Sequence, residues 1–157
     1  ESDKLSIDGI IFRREGSIRR PADENRDLLL YLPGLDGKLI EVEEQFEPVS
    51  RHFDGWWATY ESHNKNSVTK LVETIKSFFD ELGVSESKKC MLVGSSFGGT
   101  LALAVSIEHP NLIKGLTVVN PATSYKRSAW AVLGNAIALS PNNDFYRAVV
   151  SLALVST

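Results

Sequence analysis

Short apolar runs alternate with stretches of helical period along this chain, the pattern of helices layered on a β-sheet. The segment IDGIIFRRE reads as an early strand, and PADENRD as a polar connection opened by Pro21. LLLYL, residues 28–32, is apolar throughout and stops at Pro33-Gly34, as a strand buried on both faces does. Residues 42–53 are acidic and read as a helix in spite of Pro48; GWWATY, 55–60, reads as the next strand. Val68, Leu71, Val72, Ile75, Phe78, Phe79 and Leu82 fall at helical spacing, with Gly83 where a C-cap belongs. CMLVG predicts a strand, and 96–108 a helix apolar nearly all round, ended by His109-Pro110. IKGLTVVN is the last clear strand, broken at Asn120-Pro121. From Lys126 onward helical character continues without further strands. The expectation is an α/β fold with a mostly parallel sheet and helices on both faces. Residues 1–125 would form a partial core, and 126–157 the start of a helical cap.

Composition changes this picture little. A length of 157 residues suits one domain with a core of useful size. The proportions, 43% hydrophobic and 24% charged, are ordinary for a globular protein. A net charge of -3 without a basic stripe gives no reason to expect a nucleic-acid partner. The single cysteine, Cys90, excludes an internal disulfide and a zinc ribbon. At the start of a strand, it reads as a small buried hydrophobe. No run approaches the ~20 apolar residues of a membrane helix. The chain opens on Glu1 and closes on the apolar VVSLALVST, and is read here as a fragment that lacks the C-terminal part of its core.

The candidate chemistry lies in LVGSSFGGTLAL. Gly94-Ser95-Ser96-Phe97-Gly98 matches the G-x-S-x-G elbow, with the strand before it and the helix after it that the motif requires. Ser96 holds the central position, and side chains at Gly94 and Gly98 would clash in so sharp a turn. The hydroxyl would then stand at a helix N-terminus, where developing negative charge is favoured. A plain glycine-rich turn is the competing reading, and the flanking elements favour the nucleophile. LPGLDG, 32–37, supplies the complement: acyl transfer needs N–H donors around the tetrahedral oxyanion. The Phe97 N–H is one candidate, and the N–H of Leu35, in a loop following an earlier strand, is the other.

Serine needs a histidine base oriented by a carboxylate. His109 lies thirteen positions down the helix from Ser96, roughly 20 Å at ~1.5 Å per residue, too far to serve. His52 reads as a surface residue. His63 follows a strand at the correct sheet edge, but two strands away leaves about 10 Å to cross, and it is not preferred. Asp36 reads as a turn residue with Gly37, and Asp144 as a surface or capping residue of the cap. The expectation is that acid and histidine lie beyond Thr157. No glycerolipid-acyltransferase box of His and Asp five apart occurs, nor a Walker loop, a dinucleotide fingerprint or a paired-histidine motif. No cofactor and no metal are implied.

LLLYLPGLDG, MLVGSSFGGTLALAV and VVNPATSY together resemble the α/β-hydrolase domain of plant and algal phytyl ester synthases, over residues 28–127. That family is diacylglycerol-acyltransferase-like, within a wider esterase, lipase and thioesterase group. The elbow marks only the superfamily; YLPGLDG and NPATS are the more specific segments. The resemblance implies a plastid enzyme, of the chloroplast or plastoglobule, moving fatty acyl groups onto phytol or diacylglycerol. Its partners would be lipid substrates. Family members often carry an acidic residue before the nucleophile, where this chain has Ser95; that leaves Ser96 in place and changes its neighbour. The apolar segment 129–154 would pack on the sheet, with peripheral contact to a membrane or lipid droplet as the alternative. An esterase of the same mechanism is the runner-up reading, and an inactive hydrolase-like binding domain a third.

Overall fold

The computed structural model describes residues 3–14, 26–35, 37, 42–61 and 64–121. These hold six strands: β1 (Lys4–Ile7), β2 (Ile10–Arg14), β3 (Leu28–Leu32), β4 (Asp54–Tyr60), β5 (Cys90–Ser95) and β6 (Ile113–Val119). Three α-helices connect them: α1 (Glu43–Ser50), α2 (Val68–Glu81) and α3 (Phe97–Glu108). The sheet order is β1-β2-β4-β3-β5-β6. β1, β2 and β4 pair antiparallel, whereas β4, β3, β5 and β6 run parallel. The expected α/β class with a mostly parallel sheet is therefore what the chain adopts.

Alternation along the strands sorts the side chains onto two faces. Leu28, Leu30 and Leu32 of β3, Trp56 and Ala58 of β4, and Cys90 and Leu92 of β5 join α2 and α3 in one buried cluster. Tyr31 and Trp57 face the other way and pack with Phe46 of α1. Trp57 stacks on Phe46 with ring centroids 4.1 Å apart, while Phe78 of α2 stacks on Phe12 of β2 at the same spacing. Cys90 is buried, as its place at a strand start suggested.

The strongest helix owes its limits to two caps. Ser67 accepts the Lys70 N–H at 3.2 Å on its side-chain oxygen, satisfying one free donor of the first turn. At the other end Gly83 takes φ +66°; its N–H donates to Asp80 O, and the Val84 N–H to Phe79 O, a Schellman closure.

Two elements differ from the sequence reading. The early strand is a hairpin, because Asp8 and Gly9 both take positive φ, 45° and 78°, and turn the chain between β1 and β2. Asp-Gly is a sequence signal for this tight turn. The acidic helix stops at Ser50, short of the expected residue 53, and the strand after it starts at Asp54. The expected cap at 126–157 lies outside the described residues, as does most of the PADENRD connection.

Candidate active site

β3 and β5 are adjacent parallel strands in register, with Leu32 opposite Gly94. Their C-terminal ends therefore deliver PGL and GSSFG side by side. The chain leaves β3 for β4 on one flank and later returns to β5 on the other, so this edge is the crevice where such sheets bind ligands.

Ser96 is the N-cap of α3, with φ 51° and ψ −117°. L-residues rarely occupy that region, and holding one there costs about 1–3 kcal/mol. The surroundings compel it. A Cβ at Gly94 would run into the Gly98 carbonyl group, and one at Gly98 into the carbonyl oxygens of Leu32 and Pro33. Backbone thus packs directly on backbone where β3, β5 and α3 meet. The Ser96 N–H donates to Val119 O at 2.9 Å, and Ser96 O accepts from the Gly99 and Thr100 N–H groups at 3.0 and 3.2 Å. The residue is exposed at the positive end of a helix of 12 residues. Its side chain makes no capping hydrogen bond.

Of the two proposed donors, Phe97 is the first residue of α3, and Leu35 lies in the turn after β3 as an exposed residue, at 70%. Gly37 closes that turn, donating its N–H to Gly34 O at 3.0 Å. The elbow glycines, Gly94 and Gly98, are both buried.

His109 is the C-cap of α3, and His52 is exposed after α1, just ahead of the strand that begins at Asp54. Both lie toward the opposite edge of the sheet from Ser96, since parallel strands begin there and α3 runs back to it. Asp36, His63 and Asp144 are outside the described residues. Among the described residues no group of three His, Cys, Asp or Glu is arranged to hold a metal ion, and no helix is long and apolar enough to cross a membrane.

Two residues at this edge escaped the sequence reading. Tyr60, the last of β4, donates its hydroxyl to Pro33 O at 3.3 Å and meets the Phe97 ring edge-on at 6.1 Å. Pro121 lies 3.1 Å from where a Gly99 Cβ would stand, so NPATS begins against the first turn of α3. The quoted segments contained both residues, but their contacts join distant parts of the chain.

The strand order, the crossovers and the strained strand-to-helix turn are those of the α/β-hydrolase fold. A hydrolase from Pseudomonas aeruginosa matches with a TM-score of 0.71 at 18% identity, covering 95% of this chain and 57% of that one. In sequence, the chain is similar to the chloroplastic phytyl ester synthase 2 of Arabidopsis thaliana, 37% identical over 103 residues. That match covers 63% of this chain and 14% of the relative. Phytyl ester synthase 1 of the same plant, also chloroplastic, is 28% identical over 133 residues, 84% of this chain and 19% of its own length. The chain thus spans less than a fifth of these relatives. No family model matches it. The resemblance drawn from YLPGLDG and NPATS is borne out at this level.

Proposed function

We propose that the chain carries the nucleophile and the oxyanion donors of a serine-dependent acyltransferase that forms neutral lipid esters, fatty acyl phytyl esters or triacylglycerol. The observation that carries this reading is the conformation of Ser96, φ 51° and ψ −117° at the head of α3. A strained, exposed serine between two glycines whose replacement would collide with backbone is a turn built to present a hydroxyl. Likeness to two phytyl ester synthases supports lipid esters as the product class. Their chloroplastic names support a plastid location.

In this mechanism Ser96 Oγ attacks the acyl carbonyl carbon of the donor and passes its proton to a base. The new C–O bond leaves a tetrahedral oxyanion, which the Leu35 and Phe97 N–H groups hold. Collapse breaks the bond to the donor's alcohol or thiol, which takes the proton and departs. A hydroxyl of phytol or diacylglycerol then attacks the acyl-serine, giving the ester and returning the proton to Ser96. The base belongs to residues outside those described, since both described histidines lie toward the far sheet edge.

The test uses the native polypeptide with a fatty acyl thioester and phytol or diacylglycerol. Labelling by an alkyl fluorophosphonate at Ser96, ester formation, and loss of both in Ser96→Ala are the expected results. Free fatty acid in place of ester would make the protein an esterase of the same mechanism. Ester formation undiminished in Ser96→Ala would overturn the assignment. No labelling and no turnover in the unaltered protein would favour a binding domain.

A further inference from the structure

The loop that would supply the Leu35 donor is tethered at two successive peptides. The Gly37 N–H holds Gly34 O at 3.0 Å, and the Tyr60 hydroxyl holds Pro33 O at 3.3 Å. All described peptides are trans, so each N–H points opposite to the carbonyl of its own peptide. Fixing Gly34 O therefore aims the Leu35 N–H the other way, and fixing Pro33 O stops the preceding peptide from rotating beneath it.

Tyr60 also reaches the second donor. Its ring meets that of Phe97 at 73° with centroids 6.1 Å apart, an edge-to-face contact across the end of β3. The absence of a side chain at Gly37 lets the loop fold down onto Tyr60: a Cβ there would lie 3.2 Å from the Tyr60 backbone nitrogen. Burial, and to a lesser degree the Tyr31 phenol, push the Tyr60 phenol well above its ordinary value. It keeps its proton and remains a donor.

We propose that Tyr60 is a positioning residue for acyl transfer, bracing through one side chain the loop of Leu35 and the first residue of α3, whose N–H groups hold the oxyanion. The inference rests on the reading of Ser96, Leu35 and Phe97 given above. Tyr60 does not touch the reacting atoms; it fixes where the Leu35 and Phe97 amides point.

The test compares the native polypeptide with Tyr60→Phe and Ser96→Ala. Turnover of a p-nitrophenyl alkanoate is normalised to the serine titrated by fluorophosphonate, so loss of folded protein does not count. An alkylboronic acid, which becomes tetrahedral on the serine, probes the oxyanion site directly. Tyr60→Phe is expected to lower kcat by about five-fold, the effect of one modest hydrogen bond, and to weaken boronate inhibition by a like factor with KM unchanged. Wild-type kcat and wild-type boronate inhibition in Tyr60→Phe would overturn the inference, as would a change confined to KM or a fall in kcat that leaves boronate inhibition intact. Turnover retained by Ser96→Ala would instead remove the nucleophile reading beneath it.

Discussion

The backbone N–H of Ser96 donates to the carbonyl oxygen of Val119 at 2.9 Å. The bond extends the β5–β6 ladder one step past its last registered pair, Ser95 with Val119. It ties the strained residue to the neighbouring strand at the point where the chain must bend. It also commits the Ser96 amide to the sheet, so in the proposed mechanism the donor at the elbow is the next N–H, that of Phe97.

Strain at Ser96 predicts that stability and activity part company there. Ser96→Gly relieves a positive φ that only glycine adopts freely, and should raise unfolding free energy by about 1 kcal/mol. The same variant should lose all fluorophosphonate labelling. Urea titration beside the labelling assay checks both halves.

Three glycines should rank in a fixed order when changed to alanine. Gly98→Ala drives a methyl into the carbonyls of Leu32 and Pro33, neither of which can yield without parting β3 from α3; about 3 kcal/mol or more should be lost. Gly99→Ala meets Gly94 O and the Pro121 ring, both at 3.1 Å, and should cost about 1–2 kcal/mol. Gly83→Ala meets nothing within 4 Å and is charged only for its φ of +66°, about 1 kcal/mol. Denaturant midpoints of the three variants test the order.

Phe78 is fully buried and joins α2 to the sheet through rings on two strands, stacking on Phe12 and meeting Trp56 edge-on. Phe78→Ala should cost about 3–5 kcal/mol. A loss below about 1 kcal/mol in urea unfolding would mean that this cluster does not carry α2.

Burial pushes the Cys90 thiol from its ordinary 9.0 up to about 12, with a backbone hydrogen bond to Leu30 pulling the other way. As pH rises, the unfolded chain ionises first and binds fewer protons than the folded one. The stability due to the neutral buried thiol is whole below about pH 9. It falls by up to about 1.4 kcal/mol per pH unit as pH climbs toward the folded value. Unfolding measured at pH 8 and again near pH 10.5 should show a steeper loss for the unaltered protein than for Cys90→Ala.

The elbow was legible because its constraint is local: Gly94 and Gly98 flank Ser96 within five residues, and the flanking strand and helix carry their own hydrophobic periods. The cap at Gly83 was legible for the same reason. Asp8-Gly9 carried an equally local signal, yet the apolar residues on either side gave the look of one continuous strand. Tyr60 and Pro121 could not be placed from sequence. Their meaning lies in contacts with Pro33 and Gly99, which only the sheet order brings near. Distance along α3 set His109 aside beforehand, and the geometry agrees.

The register that sets Leu32 opposite Gly94 also fixes the timing of assembly. Some sixty residues separate them, and β4 and α2 must be threaded between. Non-local pairings of this kind require loop closure before they return any stability, which slows folding. On the ribosome, the first four strands of the sheet emerge by Tyr60, whereas β5 follows only after the whole of α2. The turn that strains Ser96 has nothing to brace it until β5 has docked on β3 and β6 has closed over it. The strained serine is therefore a late product of folding, set only once β5 and β6 are both in place.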